Sequence, residues 1–155
     1  MKIPALLLLC SLAACTPKRA AESSREITGT QAERIAAVSK LVTSHSPLPG
    51  PLLDANFVEE QSGDGRLGPS DFTSFCALSV AQADLPAWRA AMAPLEAQDS
   101  PPMYAAPKRP VSWWLPAAEF PRLELHSPKS LTGRANGWVG IDRDHGRIYI
   151  WSFTM

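Results

Sequence analysis

Gly137-Trp138-Val139-Gly140-Ile141 runs into Asp142-Arg143-Asp144-His145-Gly146 and out through Arg147-Ile148-Tyr149-Ile150-Trp151-Ser152-Phe153. The flanks are rich in β-branched and aromatic residues, which suit a strand. The centre holds what a tight turn needs: Asp to bond the backbone and Gly to accept positive φ. A β-hairpin is predicted. Side chains alternate sides along a strand, so Tyr149, Trp151 and Phe153 point one way and Ile148 and Ile150 the other. Bulky apolar groups on both faces place this last strand at the centre of a sheet, or under cover on both sides. Asp142-x-Asp144-x-Gly146 superficially echoes a calcium loop, but the remaining oxygen ligands and the closing Glu are missing. The turn accounts for the same residues.

Working outward, Leu123–His126 and Trp113-Trp114-Leu115 read as short strands around a helical turn at Ala117–Phe120, behind a proline-rich loop over Ser100–Pro110. Adjacent strand residues face opposite ways, so one tryptophan of the pair is expected in the core and the other outside. An outward Trp113 or Trp114 is a candidate contact for a protein or a sugar; the competing reading has a helix covering it. Further upstream, Asp84 is placed to cap a short helix carrying Pro86 in its first turn, with Leu85, Trp88, Met92 and Leu95 as the apolar face. Leu52–Gln61 and Asp71–Val80 read as paired strands joined through Gly63-Asp64-Gly65. Thr30-Gln31-Ala32-Glu33 is a capping box. Behind it, Ile35, Val38, Leu41 and Val42 recur at helical spacing, giving a helix over 31–44 that docks on a sheet or on a partner.

These elements predict an α+β domain: an antiparallel sheet of four to six strands with two principal helices packed on it. The chain has 155 residues and 15 prolines, about twice the average usage, so short elements and rigid loops are expected. Lys plus Arg equals Asp plus Glu at 15 each. There is no basic excess to hold nucleic acid, and that class of partner is set aside.

The search for chemistry returns little. His45, His126 and His145 are scattered without metal-ligand spacing, and no metal or cofactor is expected. Cys76 lies mid-strand among apolar residues, where a thiol is inert. No nucleophile elbow and no phosphate-cradling glycine loop occurs. Glu59, Glu60 and Asp64 are near one another in the chain and could serve a glycosidase, but adjacent surface acids are more often solvated. No catalytic residue is assigned.

The amino terminus carries the sharpest signal. Lys2 precedes an apolar run from Ile3 to Cys10, far short of the about 20 residues that span a bilayer but suited to a signal peptide. Leu12-Ala13-Ala14-Cys15 resembles the bacterial lipobox, a Leu and two small residues before an obligatory cysteine. The resemblance implies cleavage after residue 14 and lipidation of Cys15, whose thiol alone can accept the diacylglyceryl group. Several acyl chains, at about 0.8 kcal/mol per buried CH₂, make such an anchor effectively permanent. Thr16 rather than Asp after that cysteine favours the outer membrane, facing the periplasm. Cys10 would leave with the signal and Cys15 would be blocked, so Cys76 remains as the free thiol. The expected organisation is a signal peptide at 1–14, a lipidated Cys15 with a flexible tether to 29, and one domain over 30–155.

Asn136–Asp142 and Gly146–Phe153 resemble segments of small proteobacterial lipoproteins with no assigned role. The sequence lacks both the peptidoglycan-binding signature of outer-membrane anchoring domains and the paired cysteines of lipoprotein lysozyme inhibitors. The leading expectation is a membrane-anchored, non-catalytic module that binds an envelope protein or polymer through Trp113 or Trp114. The alternatives are an envelope hydrolase acting on peptidoglycan or glycan, with His126 or His145, and an inhibitor or immunity-type protein using the 101–110 loop.

Overall fold

The computed structural model describes residues 23–43, 45–63, 70–95 and 102–155. The signal segment 1–14, Cys15, the first part of the tether and Asp64-Gly65 lie outside the described residues. In chain order the strands are β1 (Ser23–Glu26), β2 (Asp54–Ser62), β3 (Asp71–Ser79), β4 (Glu124–His126), β5 (Asn136–Asp142) and β6 (Arg147–Phe153). The helices are α1 (Gln31–Thr43), α2 (Leu85–Ala90) and the single turn α3 (Lys129–Thr132), with 3₁₀ turns at Gln82–Asp84 and Ala117–Arg122. The fold is α+β. All strand pairs are antiparallel, in the order β1-β2-β3-β6-β5-β4, so β3 and β6 are central as the doubly apolar pattern of β6 requires. Among the described residues no helix is long and apolar enough to cross a membrane.

Both faces of the sheet are covered, by different means. On one face Ile148, Ile150, Leu78 and Val139 meet Val38 and Val42 of α1, Leu85 and Trp88 of α2, and Leu131 of α3. On the other, Phe75, Ala77, Trp138 and Tyr149 meet Trp114, Leu115 and Phe120. That second cover is an irregular segment spanning 102–123. Its polar backbone is tied down by side chains from the sheet and from itself: Trp138 Nε1 donates to the Met103 carbonyl at 3.1 Å, the Tyr104 hydroxyl donates to the Leu115 carbonyl at 2.8 Å, and the Lys108 N–H donates to the buried Glu60 carboxylate at 2.7 Å. Buried backbone groups need such partners.

Several expectations are corrected. Residues 23–26, read as tether, form the edge strand β1, which pairs with Val58–Gln61 of β2. Its side chains are mostly exposed, so only the backbone ladder holds it and no apolar period announces it. Trp113-Trp114-Leu115 is a turn rather than a strand; the Trp114 N–H closes it on the Val111 carbonyl at 3.4 Å. Asp84 occupies the N-cap of α2 without making a side-chain capping bond. The capping box of α1 does form, with Glu33 Oε2 accepting the Thr30 N–H at 2.8 Å and the Thr30 hydroxyl at 2.9 Å.

The 142–146 turn forms as predicted: Asp142 Oδ1 accepts the N–H groups of Asp144 and His145 at 3.1 and 3.3 Å, and Gly146 has φ 61°. Gly137 is constrained more severely, with φ 118° and a hypothetical Cβ only 2.0 Å from the Trp151 carbonyl oxygen on β6. Gly137→Ala is therefore expected to destabilise the domain by at least about 2 kcal/mol, through strain and a backbone clash between central strands. A urea denaturation curve checks this; a midpoint equal to that of the unsubstituted protein would contradict the close approach.

Candidate functional site

Trp114 is a core residue, 7% exposed. It stands edge-on to Phe75 at 5.2 Å and to Tyr149 at 5.6 Å, and its Nε1 donates to the Ala105 carbonyl at 2.9 Å. Of the two candidate contacts, Trp114 is thereby withdrawn. Trp113 is the other half of the pair: half-buried, edge-on to Trp114 with centroids 6.0 Å apart, and lining an open cavity. No helix covers it.

The floor of that cavity follows from strand register. Asp54, Ser79 and Arg147 are cross-strand neighbours on β2, β3 and β6, and Asn56, Ala77 and Tyr149 form the next row on the same face. Deeper rows of this face are filled by Val58, Phe75, Trp138 and Trp151 under the irregular cover. At this end the rows turn polar, and the small Ala77 leaves a depression under Ser112 and Trp113. The cavity has a volume of about 360 Å³, within the range of small-molecule sites.

Two of its charged residues satisfy each other. Arg34 of α1 donates to the Gly29 carbonyl at 2.8 Å, the Ala55 carbonyl at 3.1 Å and Asp54 Oδ1 at 2.7 Å. The Ala55 carbonyl lies on the edge of β2 beyond the end of β1, so Arg34 occupies the edge the short strand leaves open. Asn56, Ser79, Ser112 and Arg147 have no side-chain hydrogen bond to any described residue. Asp142, the cross-strand neighbour of Arg147, is taken up by the turn and by His145 Nδ1 at 2.8 Å. Arg147 is thus an exposed cation with no ion-pair partner among the described residues, on the same cavity as the Trp113 indole.

The other cavities carry engaged polar groups, with one exception: His126, which lines a cavity of about 750 Å³ between α2 and β4, has no hydrogen-bond partner on either ring nitrogen among the described residues. One of about 180 Å³ lies between α1 and the sheet, over Phe57, Cys76 and Ile150. At its polar end Arg134 donates to Ser74 Oγ at 2.7 Å and to Glu59 at 3.1 Å, and the Ser74 hydroxyl donates to Glu59 at 2.9 Å. Burial pushes the Cys76 thiol up to about 12, which leaves it unreactive at ordinary pH. Glu59 and Glu60 project to opposite faces of β2 and make no carboxylate pair, while Asp64 lies outside the described residues.

At the β4 edge, Glu124 binds Arg89 and Arg143 and lies 3.2 Å from Nε2 of the buried His126. Partial burial raises the Glu124 carboxyl, but the hydrogen bonds and charges of Arg143 and Arg89 outweigh it and hold the group below the ordinary glutamate value. It is a carboxylate at neutral pH, the wrong state for a general acid. Glu119, Asp142, Asp144 and His145 border the neighbouring cavity of about 320 Å³, where Glu119 pairs with Arg122 and Asp142 with His145. His45 lines the α1 cavity, away from the other two histidines. Among the described residues no three His, Cys, Asp or Glu side chains are placed to hold a metal ion.

Sequence reading reaches Trp113 and misses Asp54, Asn56, Ser79, Ser112 and Arg147. The available signal was parity: each of the strand residues sits at a strand end, on the face that is apolar further along.

Two expectations follow. Trp114→Ala should cost about 3–5 kcal/mol, as for a truncated core aromatic, whereas Trp113→Ala should cost about 1–2 kcal/mol; urea denaturation separates them, and equal losses would mean that Trp113 is also a core residue. Glu124 has a folded-state pKa below its unfolded one, so its stabilisation is complete above the usual glutamate range and is lost as pH falls through the folded value. Glu124→Gln should therefore be less stable than the unsubstituted protein at pH 7, with the gap narrowing below about pH 4. A gap independent of pH would refute the assignment. Compared with protein-family models, curated proteins and solved structures, the chain matches none.

Proposed function

We propose that this chain is the precursor of an envelope lipoprotein whose domain is a non-catalytic binding module, with Trp113 at its contact. Residues 1–14 act as the signal, and Cys15 carries the lipid that holds the protein at the outer membrane, facing the periplasm. The lipobox supports the anchor. One observation carries the binding reading: an accessible indole beside a cavity whose polar groups Asn56, Ser79, Ser112 and Arg147 have no described intramolecular partner. Polar groups left unused at an accessible cavity are what a ligand or partner needs.

A hydrolase acting on peptidoglycan or glycan is the second reading, favoured by the acids around His145. It is weaker because Glu124 is held ionised by two arginines, and because Glu119 pairs with Arg122 and Asp142 is bonded to His145. The inhibitor reading needs 101–110 as a projecting plug, but residues 102–110 run along the sheet, with Tyr104 and Ala105 packed on its core.

Crosslinking in intact cells, then affinity purification and mass spectrometry, tests the binding reading. The expected result is a specific partner, protein or envelope polymer, lost on Trp113→Ala. The same partner retained by Trp113→Ala would refute the contact. Cys15→Ser should move the protein from the membrane to the soluble fraction; continued membrane retention would refute the lipid anchor.

A further inference from the structure

The Trp113 cavity sits on the face of a sheet rather than at its edge. Its floor is β2, β3 and β6, and the backbone groups there are taken up by the antiparallel ladders or, on the outer edge of β2 at Ala55, by the side chains of Arg34 and Asp54. An extended peptide is recognised chiefly through backbone bonds to a free edge, and this floor offers none. Recognition at this place must therefore run through side chains.

Those side chains are Asn56, with a donor and an acceptor, the hydroxyls of Ser79 and Ser112, and the Arg147 guanidinium, arranged beside one indole. A partner that uses all of them carries several hydroxyl-type groups around a small ring and has an apolar face to lay on Trp113. A pyranose meets both demands, with hydroxyls at its rim and C–H bonds on its face. Charge adds a third demand. Arg34 is neutralised by Asp54 at 2.7 Å, and Asp142 is occupied by His145, so among the described residues no carboxylate is paired with Arg147, which is open to an anion from outside. A guanidinium fork matches a carboxylate. The cavity, about 360 Å³ and open to solvent, admits a ring-sized group while the rest of a polymer continues outside.

We infer that the cavity under Trp113 binds an acidic glycan, with a sugar ring on the Trp113 indole, its hydroxyls on Asn56, Ser79 and Ser112, and its carboxylate on Arg147. The inference rests on the binding-module reading and names the ligand class for that site.

The test titrates the detergent-solubilised protein with tetragalacturonate and with the neutral cellotetraose, by calorimetry and by tryptophan fluorescence. The expected result is tetragalacturonate binding at least tenfold tighter than cellotetraose. Arg147→Gln should abolish that preference, and Trp113→Ala should abolish both interactions. Urea midpoints of the two variants establish that they are folded, and Trp113→Phe, which keeps a ring, should retain binding. No binding of tetragalacturonate, or binding indifferent to Trp113→Ala, overturns the glycan assignment. In that event, an in-cell protein partner that depends on Trp113 leaves the binding module standing without the glycan, whereas loss of both results removes the two together.

Discussion

The Trp114 indole sits against Phe75, Trp138 and Tyr149, and its N–H reaches back to the Ala105 carbonyl. The sheet is apolar on both faces and must be covered twice. Helices cover one face and satisfy their own backbone. The segment over the other face is rich in proline, forms no regular ladder, and gains its place only by burying side chains and finding a partner for each polar group. Trp114 does both at once: it buries the largest apolar side chain of that segment and holds a carbonyl of the same segment. The position of Trp113 one residue before it, and hence the shape of the candidate site, depends on that anchorage.

The parts of this fold legible in the sequence are those where a side-chain period coincides with burial. The β5–β6 hairpin shows alternating residues around a turn with a fixed chemistry, and α1 shows a capping box ahead of a stripe that ends in Val38 and Val42. Illegible parts are held by something other than a period. Ser23–Glu26 has no apolar pattern because an edge strand with exposed side chains needs only backbone partners. Trp113–Leu115 offered three bulky residues that suit a strand by composition, yet Pro110 and Pro116 flank them and the Trp114 N–H turns back to Val111. Tertiary packing of one indole overrode local preference.

The site was half legible for a related reason. Trp113 stands out in composition, but Asp54, Ser79 and Arg147 come from separate regions of the chain and become neighbours only through the β2–β3 and β3–β6 registers. A shift of one residue in either pairing would send the affected residues to the opposite face. Neighbouring acids along the chain mislead for the mirror-image reason: Glu59 and Glu60 are adjacent in sequence, yet one binds Arg134 on one face and the other the Lys108 N–H on the other.

The strand order also sets how the molecule can be assembled. Among the described residues β6 is the strand that bridges β1-β2-β3 and β5-β4. Before residues 147–153 are available, β3 lacks its central neighbour and the two partial sheets share no ladder. Joining β3 to β6 closes a long intervening loop, a non-local step that is entropically slow. Closing the β3–β6 pairing is therefore a non-local step in assembling this sheet, and truncation before Arg147 would remove the ladder that joins its two parts and leave them linked by side-chain packing alone.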